Sequence, residues 1–389
     1  MKKGRGPLAG LKVIEVAQYA AGPFAGQLLA DLGADVVKIE RPGTGDLLRT
    51  WGPFLDGKQG KPFSASFAAL NRNKRSVALD TDEAGDLLQF KQLVAKADVF
   101  LENFRPGVLR RMGIGYDDLR LINPRLVYCS VTGYGQSGPY ATQGAFDVTI
   151  QASSGIMSVT GDEEGEPVKC GVPVADFGAA LYAGFSILAA VLHARETGTG
   201  EYLDCPMLGC MLGISSLQTS EYFATGVTPK RLGSRHPKNA PYQGFQAQDD
   251  RFIVAAGNDK LWHTVCDVVG QPELKQDVRF ADVNLRAKNQ KQLADLLQPI
   301  FAGKPAKVWL KAFNAGGIPC APVNSFKESL DDTQVQHLGL VQDLLLPNGV
   351  STKTVRFPVT FAGFVPPIDG VPELGEHTEQ VLREWIDGM

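Results

Sequence analysis

No Cys-x-x-Cys pair occurs in this 389-residue chain, and its six cysteines, Cys129, Cys170, Cys205, Cys210, Cys266 and Cys320, stand mostly in apolar surroundings. That usage excludes a disulfide frame and a zinc ribbon, and it reads as reduced core thiols of a cytoplasmic protein. The five histidines, His193, His236, His263, His337 and His377, lack metal-ligand spacing, so no metal is expected. Glycine-rich signatures fail as well. The turn after the first strand-like run reads Ala17-Gln-Tyr-Ala-Ala-Gly-Pro23. It lacks G-x-G-x-x-G, and Pro23 offers no N–H to a pyrophosphate. A dinucleotide is therefore disfavoured, although Glu40 stands where a ribose-binding acid would. In Gly57-Lys-Gln-Gly-Lys-Pro62 no Ser or Thr follows the lysine, so this is not a phosphate-binding P-loop. Gly135-Gln-Ser-Gly-Pro139 does not fit G-x-S-x-G, which argues against a nucleophile-elbow hydrolase. Neither sign of charge dominates. With 39 basic and 42 acidic residues the net charge is −3, and nothing predicts binding to nucleic acid or an anionic membrane. The basic N-terminus is not followed by an uninterrupted apolar run, so no signal peptide is expected.

What is present is ordinary soluble composition, 44% apolar and 21% charged, over a length that suits two domains. Strand-like runs at Leu11–Ala17, Ala34–Ile39, Ser76–Leu79, Val99–Leu101 and Arg125–Val131 alternate with helical patterns at Pro23–Leu32, Asp82–Ala97 and Val108–Met112. This alternation predicts an α/β fold with a mostly parallel sheet covered on both faces. Ligands of such sheets bind beyond the carboxyl ends of the strands, here near Gln18–Pro23, Glu40-Arg41, Asn103-Phe104 and Thr132–Gly135. The apolar stretch 177–194 reads as a buried helix, and a further Ala/Leu/Ser helix is expected to run to Thr225. The polar, turn-rich segment 226–243 then marks a crossing into a smaller domain. That domain holds a strand at Phe252–Ala256, helices from Lys260, over Leu285–Phe301 and over Ala306–Asn314, and a strand at Pro319–Val323 that leads back out. The predicted division is 1–225, 226–318 and 319–389, with a last strand near Thr354–Phe361 and a final helix over Gly375–Trp385.

Two features carry chemistry. Asp176 stands between an apolar approach, Val172–Ala175, and the helix that follows. It reads either as an N-cap contributing about 1 kcal/mol or as an ionised nucleophile held by the helix dipole. The basic residues Arg41, Arg49, Arg72, Lys74, Arg75, Arg105, Arg110 and Arg111 crowd the first part of the chain. They form either a solvated face or a site for a phosphate-bearing nucleotide, with Phe104 available to stack on a base.

Several stretches, taken in order, resemble the class III CoA-transferases, the group of formyl-CoA transferase, carnitine CoA-transferase and α-methylacyl-CoA racemase. They are Leu11-Lys-Val-Ile-Glu-Val with Ala21-Gly-Pro23; Gly33-Ala-Asp-Val-Val-Lys-Ile-Glu-Arg41-Pro-Gly-Thr-Gly-Asp46; Asn73-Lys-Arg-Ser-Val-Ala-Leu-Asp80; and Glu102-Asn-Phe-Arg-Pro-Gly107. Asp147 with Gln151-Ala-Ser-Ser-Gly155, Gly171-Val-Pro-Val-Ala-Asp176, His236-Pro with Ala240-Pro-Tyr242, Asp277-Val-Arg-Phe280 and Leu374-Gly-Glu-His377-Thr follow. The resemblance covers nearly the whole chain. It implies a Rossmann-like large domain formed by both chain ends, a smaller inserted α+β domain, and an interlocked homodimer. It puts the nucleophile on Asp176 and CoA contacts on Ala20, Ala21, Arg41, Leu79, Asn103, Phe104 and Arg111.

The implied reaction moves CoA from an acyl-CoA donor, with succinyl-CoA as a candidate, to a carboxylic acid through an aspartyl anhydride and an aspartyl-CoA thioester. No cofactor is needed beyond coenzyme A as substrate. Oxyanions would require fixed N–H donors, for which the turns at 133–138 and 161–165 are candidates. The alternatives are a racemase or a non-catalytic CoA-binding subunit. The racemase branch carries a Gly-His-Asp base where this chain reads Ala145-Phe-Asp147, so two-base proton exchange lacks a partner. In place of a run of glycines over the aspartate stands Gly233-Ser-Arg-His-Pro-Lys-Asn-Ala-Pro241. Its Arg235, His236 and Lys238 are candidates to meet a second carboxylate of a dicarboxylic substrate, or else belong to a solvated linker.

Overall fold

Val13 and Ile14 make the first strand a run buried on both sides, as a central parallel strand requires; it is observed as β1, Lys12–Val16. In this computed structural model, which describes residues 6–57 and 61–388, β1 is joined by β2 (Asp35–Glu40), β3 (Arg75–Ala78), β4 (Val99–Glu102), β5 (Val127–Thr132) and β6 (Tyr202–Pro206). The expectations placed on residues 1–5 and on 58–60 lie outside the described residues. The six strands form one sheet in the order β3-β2-β1-β4-β5-β6, parallel throughout. This is the doubly wound order, whose direction reverses between β1 and β4 and opens a ligand crevice beyond their carboxyl ends.

Helices cover both faces. On one, α1 (Ala21–Asp31), α3 (Asp147–Ser153), α4 (Val174–Thr197) and α5 (Met207–Ile214) pack over a core of Val13, Val36, Val99, Leu101 and Val127. On the other, α2 (Ala84–Val94) lies with Val381 and Trp385 of the C-terminal helical segment against Ile14, Val37 and Phe100. Trp385 Nε1 donates to Asp35 Oδ2 at 2.9 Å, and Arg75 Nη1 reaches Glu384 at 2.5 Å. The chain's two ends thus complete one body. Helix α4 is long and apolar enough to cross a membrane by composition; here Ala175, Ala179, Ala183 and Ile187 are buried in the core beside β5.

The described chain divides into two compact units, one of 1–157, 169–227 and 334–389, the other of 158–168 and 228–333. The second holds an antiparallel sheet in the order β9-β8-β7, with β7 Tyr242–Gln246, β8 Arg251–Ala255 and β9 Cys320–Pro322. Its helices bury Trp262, Phe301, Trp309 and Phe313. The strand expected to lead out near 319 instead pairs with β8, so this unit runs on to Thr333.

Three further elements differ from expectation for local reasons. The helix ending at Thr225 breaks at Ser215, whose hydroxyl donates back to the Met211 carbonyl at 2.8 Å. The helix over 285–301 breaks at Asn289, whose amide donates to Leu285 and Arg279 carbonyls, both at 3.0 Å. Such short side chains compete with the helical ladder. The late strand lies at Ser351–Val355 and pairs with Val341–Leu345. Asn348-Gly349, with Gly349 at φ 79°, supplies the hairpin turn.

Candidate active site

The crevice between β1 and β4 is closed at its base by Asn103. Its Oδ1 accepts from the Gln18 N–H at 2.9 Å and its Nδ2 donates to the Gln18 carbonyl at 2.7 Å. The next residue, Tyr19, takes φ 63° without being glycine, a strained conformation of the kind that collects at functional sites. Its N–H is held by Asp46 Oδ1 at 3.1 Å. Ala20 and Ala21 then form the N-cap and first residue of α1. Gly22 is required here, because a Cβ would lie 2.5 Å from Ala17 Cβ and 3.2 Å from Asn103 Cγ.

Beside this crevice a cavity of about 300 Å³ is lined by Arg41, Leu79 and Phe104, with Glu40, Asp46 and Ile114. The structure brings those three expected contact residues together. Asn103, bonded to the lining residue Gln18, and Ala20 and Ala21 at the start of α1 do not line the cavity, and neither does the exposed Arg111. The Arg41 guanidinium pairs with Asp80 at 3.2 Å and Asp82 at 3.3 Å. Phe104 is held by its N–H to Glu102 Oε2 at 2.7 Å. Burial pushes the Glu102 carboxyl up to about 7, against the bonds from Ser130 and Phe104. Glu40 is occupied by Arg49 at 2.7 Å, Ser76 Oγ at 2.6 Å and the Asp46 N–H at 2.9 Å. A ribose has no free acceptor there, consistent with the missing dinucleotide fingerprint.

Beneath the crevice lies a fully buried lattice of charge. Glu15 meets Lys38 and Lys74, each at 2.8 Å, and Lys38 also meets Asp46 at 2.9 Å. Lys38 Nζ donates to the Ala17 carbonyl at 2.7 Å, and Lys74 Nζ to the Pro23 carbonyl at 2.8 Å. The two lysines thereby tie down both ends of the crevice loop.

Asp176 is not an N-cap. The helix starts earlier, with Pro173 at the cap and Asp176 in the first turn of α4. The capping is done from elsewhere, by Asp147 on α3, whose Oδ1 accepts the Ala175 N–H at 2.8 Å. The Asp176 carboxylate itself shows no hydrogen bond or ion pair among the described residues. Its turn faces α1, with Phe177 and Phe24 ring centroids 4.8 Å apart. Burial first, and then the Asp147 charge, pushes Asp176 up to about 7. The helix dipole was expected to keep it ionised, and desolvation plus a like charge prevail. Tyr19 further connects the parts, lying 6.2 Å from the Phe146 ring and 5.5 Å from the Trp51 ring. No sequence motif marks this aromatic group, and the positive φ at Tyr19 is visible only in the fold.

The other expected groups are occupied. The Gly135 N–H donates to Thr132 Oγ1 at 3.0 Å and the Gln136 N–H to Asp204 at 2.9 Å, so these two are not open to an oxyanion. Arg235 pairs with Glu163, and His236 stacks on Tyr242 at 4.9 Å while its Nδ1 accepts from the Lys238 N–H. The 161–165 turn is gripped by Arg231, which donates to the Asp162 and Gly165 carbonyls. Among the described residues no group of three His, Cys, Asp or Glu is placed to hold a metal.

Comparison with known proteins bears on this geometry. The profile of CoA-transferase family III matches residues 8–378. The mouse protein named succinyl-CoA:glutarate CoA-transferase is 37% identical over 387 residues, covering 98% of this chain and 86% of its own. The Acetobacter aceti protein named acetyl-CoA:oxalate CoA-transferase is 38% identical, covering 98% and 97%. The crystal structure of a CaiB/BaiF family protein from Brucella suis superposes with a TM-score of 0.88 at 39% identity, over 98% of this chain and all of that one.

Proposed function

The chain belongs to CoA-transferase family III and is a CoA-transferase with coenzyme A as substrate, and from that premise we propose that it moves CoA from succinyl-CoA to a dicarboxylic acid through covalent intermediates on Asp176. The observation that carries this reading is Asp176 itself. It is a partly buried carboxylate without a polar partner among the described residues, in the first turn of α4, against the helix that starts at the crevice. The relatives named for glutarate and oxalate both take dicarboxylates, and one is named for succinyl-CoA; this supports the substrate class.

The nucleotide end of CoA occupies the cavity, with Phe104 and Leu79 against the base, Arg41 and Arg111 reaching phosphates, and Ala20, Ala21 and Asn103 at the adjoining crevice. An Asp176 oxygen attacks the thioester carbonyl, the C–S bond breaks, and CoA leaves as thiolate from a mixed anhydride. The thiolate then attacks Asp176 Cγ, expelling the donor as its carboxylate and leaving an aspartyl-CoA thioester. The acceptor carboxylate attacks that thioester to give a second anhydride and free thiolate. Attack of the thiolate on the acceptor carbonyl restores Asp176 and releases the new acyl-CoA. Thioester energy is conserved through each exchange.

Incubation with succinyl-CoA and no acceptor is expected to leave CoA, or a hydroxamate after hydroxylamine quench, on the peptide that holds Asp176. An unmodified Asp176 in enzyme with measured transfer overturns the assignment. The attacking form is the anion, and the carboxyl is pushed up to about 7. The rate, as kcat/KM for the donor, is therefore expected to fall about tenfold per pH unit below 7 and to level off above it. A profile flat from pH 5 to 8 contradicts this.

The same reading includes an interlocked homodimer. Leu181, Phe185 and Leu192 form one stripe of α4 and are 57%, 73% and 68% exposed in the single chain. A contiguous apolar stripe of this kind marks an interface, and a second copy is the proposed cover. Sedimentation equilibrium is expected to give twice the chain mass; a monomer at micromolar concentration rejects it.

A further inference from the structure

Helix α3 presents two side chains one turn apart, Asp147 and Gln151, which lie on one face. Asp147 Oδ1 accepts the Ala175 N–H at 2.8 Å, and its Oδ2 accepts from Gln151 Nε2 at 2.6 Å. Gln151 is fully buried, and its Oε1 accepts the Cys170 N–H at 2.8 Å. The pair therefore grips the backbone on both sides of the irregular 171–173 approach, ending one residue before Asp176. The Ala175 N–H is one of the orphan donors of the helix start. No side chain of its own segment caps it.

We propose that Asp147, braced by Gln151, is the positioning residue of the transfer reaction, fixing the first turn of α4 and with it the direction in which Asp176 meets the thioester. The inference rests on the assignment of Asp176 as nucleophile. A neutral side chain would cap as well and would leave Asp176 more ionised, so the use of a charged one has a consequence. The elements packed on α4 are α1, α3, α5, β5 and β6. Their titratable groups are Asp31 on α1, Asp147 on α3, Cys210 on α5, Tyr128 and Cys129 on β5, and Tyr202, Asp204 and Cys205 on β6. Of these, Asp147 is the one whose charge acts on Asp176. Asp147 thus orders the nucleophile and, in addition to burial, raises the pH at which it becomes anionic.

Two variants separate these effects, each read as a pH profile of kcat and kcat/KM with succinyl-CoA and glutarate and as adduct formation at Asp176. Asp147→Asn keeps an acceptor for the Ala175 N–H and removes the charge, giving up the bond from Gln151 Nε2. Its acid limb is expected to move down by about one pH unit, so that at pH 5.5 it loses less of its plateau rate than the wild type does. Asp147→Ala also removes the cap. Its plateau kcat is expected to fall at least about tenfold, with KM for the donor within about twofold and a circular dichroism spectrum like that of the wild type. The inference is overturned if the acid limb of Asp147→Asn coincides with that of the wild type, or if Asp147→Ala keeps the full plateau kcat. Absence of an Asp176 adduct in the wild-type enzyme is a different result and rejects the nucleophile assignment instead.

Discussion

Asp176→Asn is expected to lower CoA transfer by roughly 10⁴-fold or more, because it removes the one protein side chain that acts as a nucleophile in the proposed route. The amide has the shape of the acid and sits at the same point of α4, so donor binding should persist. Equilibrium binding of CoA within about threefold of the wild type, with no adduct on the peptide, is the expected pattern. Retained turnover would remove Asp176 from the chemistry.

The same variant carries an expected gain in stability, whose sign follows from linkage. The carboxyl has a folded pKa raised from 3.8 to about 7, so the folded state holds its proton more tightly than the unfolded state. Stability then falls as pH rises between those values. At pH 8 the wild type carries the full penalty, with an upper limit of ~4 kcal/mol that partial solvent access reduces. Asparagine carries none of it. Asp176→Asn is therefore expected to melt higher than the wild type at pH 8, with the difference fading toward pH 4. A difference that does not change with pH would show that burial and Asp147 do not act on this carboxyl.

How far the sequence leads is clear from where it misplaced Asp176. The parallel strands were legible because β-branched runs such as Lys12–Val16 and Asp35–Glu40 are bounded by turns. The start of α4 was not. Pro173 was read as part of an apolar approach, and the group that caps the helix comes from Asp147, 28 positions away. Pairings at that distance depend on how α3 is carried onto α4, which local pattern does not encode. Arg235 shows the same limit: its partner Glu163 lies 72 positions earlier, and a basic run seen alone does not reveal that pairing. One long-range feature did leave a trace. Glu15 and Lys38 are charges flanked by apolar residues inside their strands, Val-Ile-Glu15-Val and Val-Val-Lys38-Ile. A charge at the middle of a strand buried on both faces requires a partner, and the two strands are neighbours.

That pair leads to the second large expected effect. Glu15→Gln removes one carboxylate and leaves two buried ammonium groups, Lys38 and Lys74, that had shared it. Breaking a buried pair from one side costs about 3–5 kcal/mol, and the melting temperature is expected to drop by roughly 10 °C. Lys74 is already held down at about 8, by burial first and by the Lys38 charge, with Glu15 acting against them. Its folded pKa lies below the ordinary 10.5, so wild-type stability from this group rises as pH goes from about 8 to 10.5. Without Glu15 the Lys74 pKa falls further, and the loss in the variant should be partly recovered on raising the pH from 7 to 9. Function should follow stability here, because Lys38 and Lys74 hold the Ala17 and Pro23 carbonyls on either side of the crevice loop. KM for the acyl-CoA is expected to rise several-fold in Glu15→Gln while the pH profile from Asp176 stays in place. The double variant Glu15→Leu with Lys74→Met replaces the ion pair by apolar groups of similar volume, and it should recover part of the melting temperature. Its KM should remain raised, because the Pro23 carbonyl has lost its donor. A Glu15→Gln protein that melts like the wild type at pH 7 would show that the lattice does not hold the crevice.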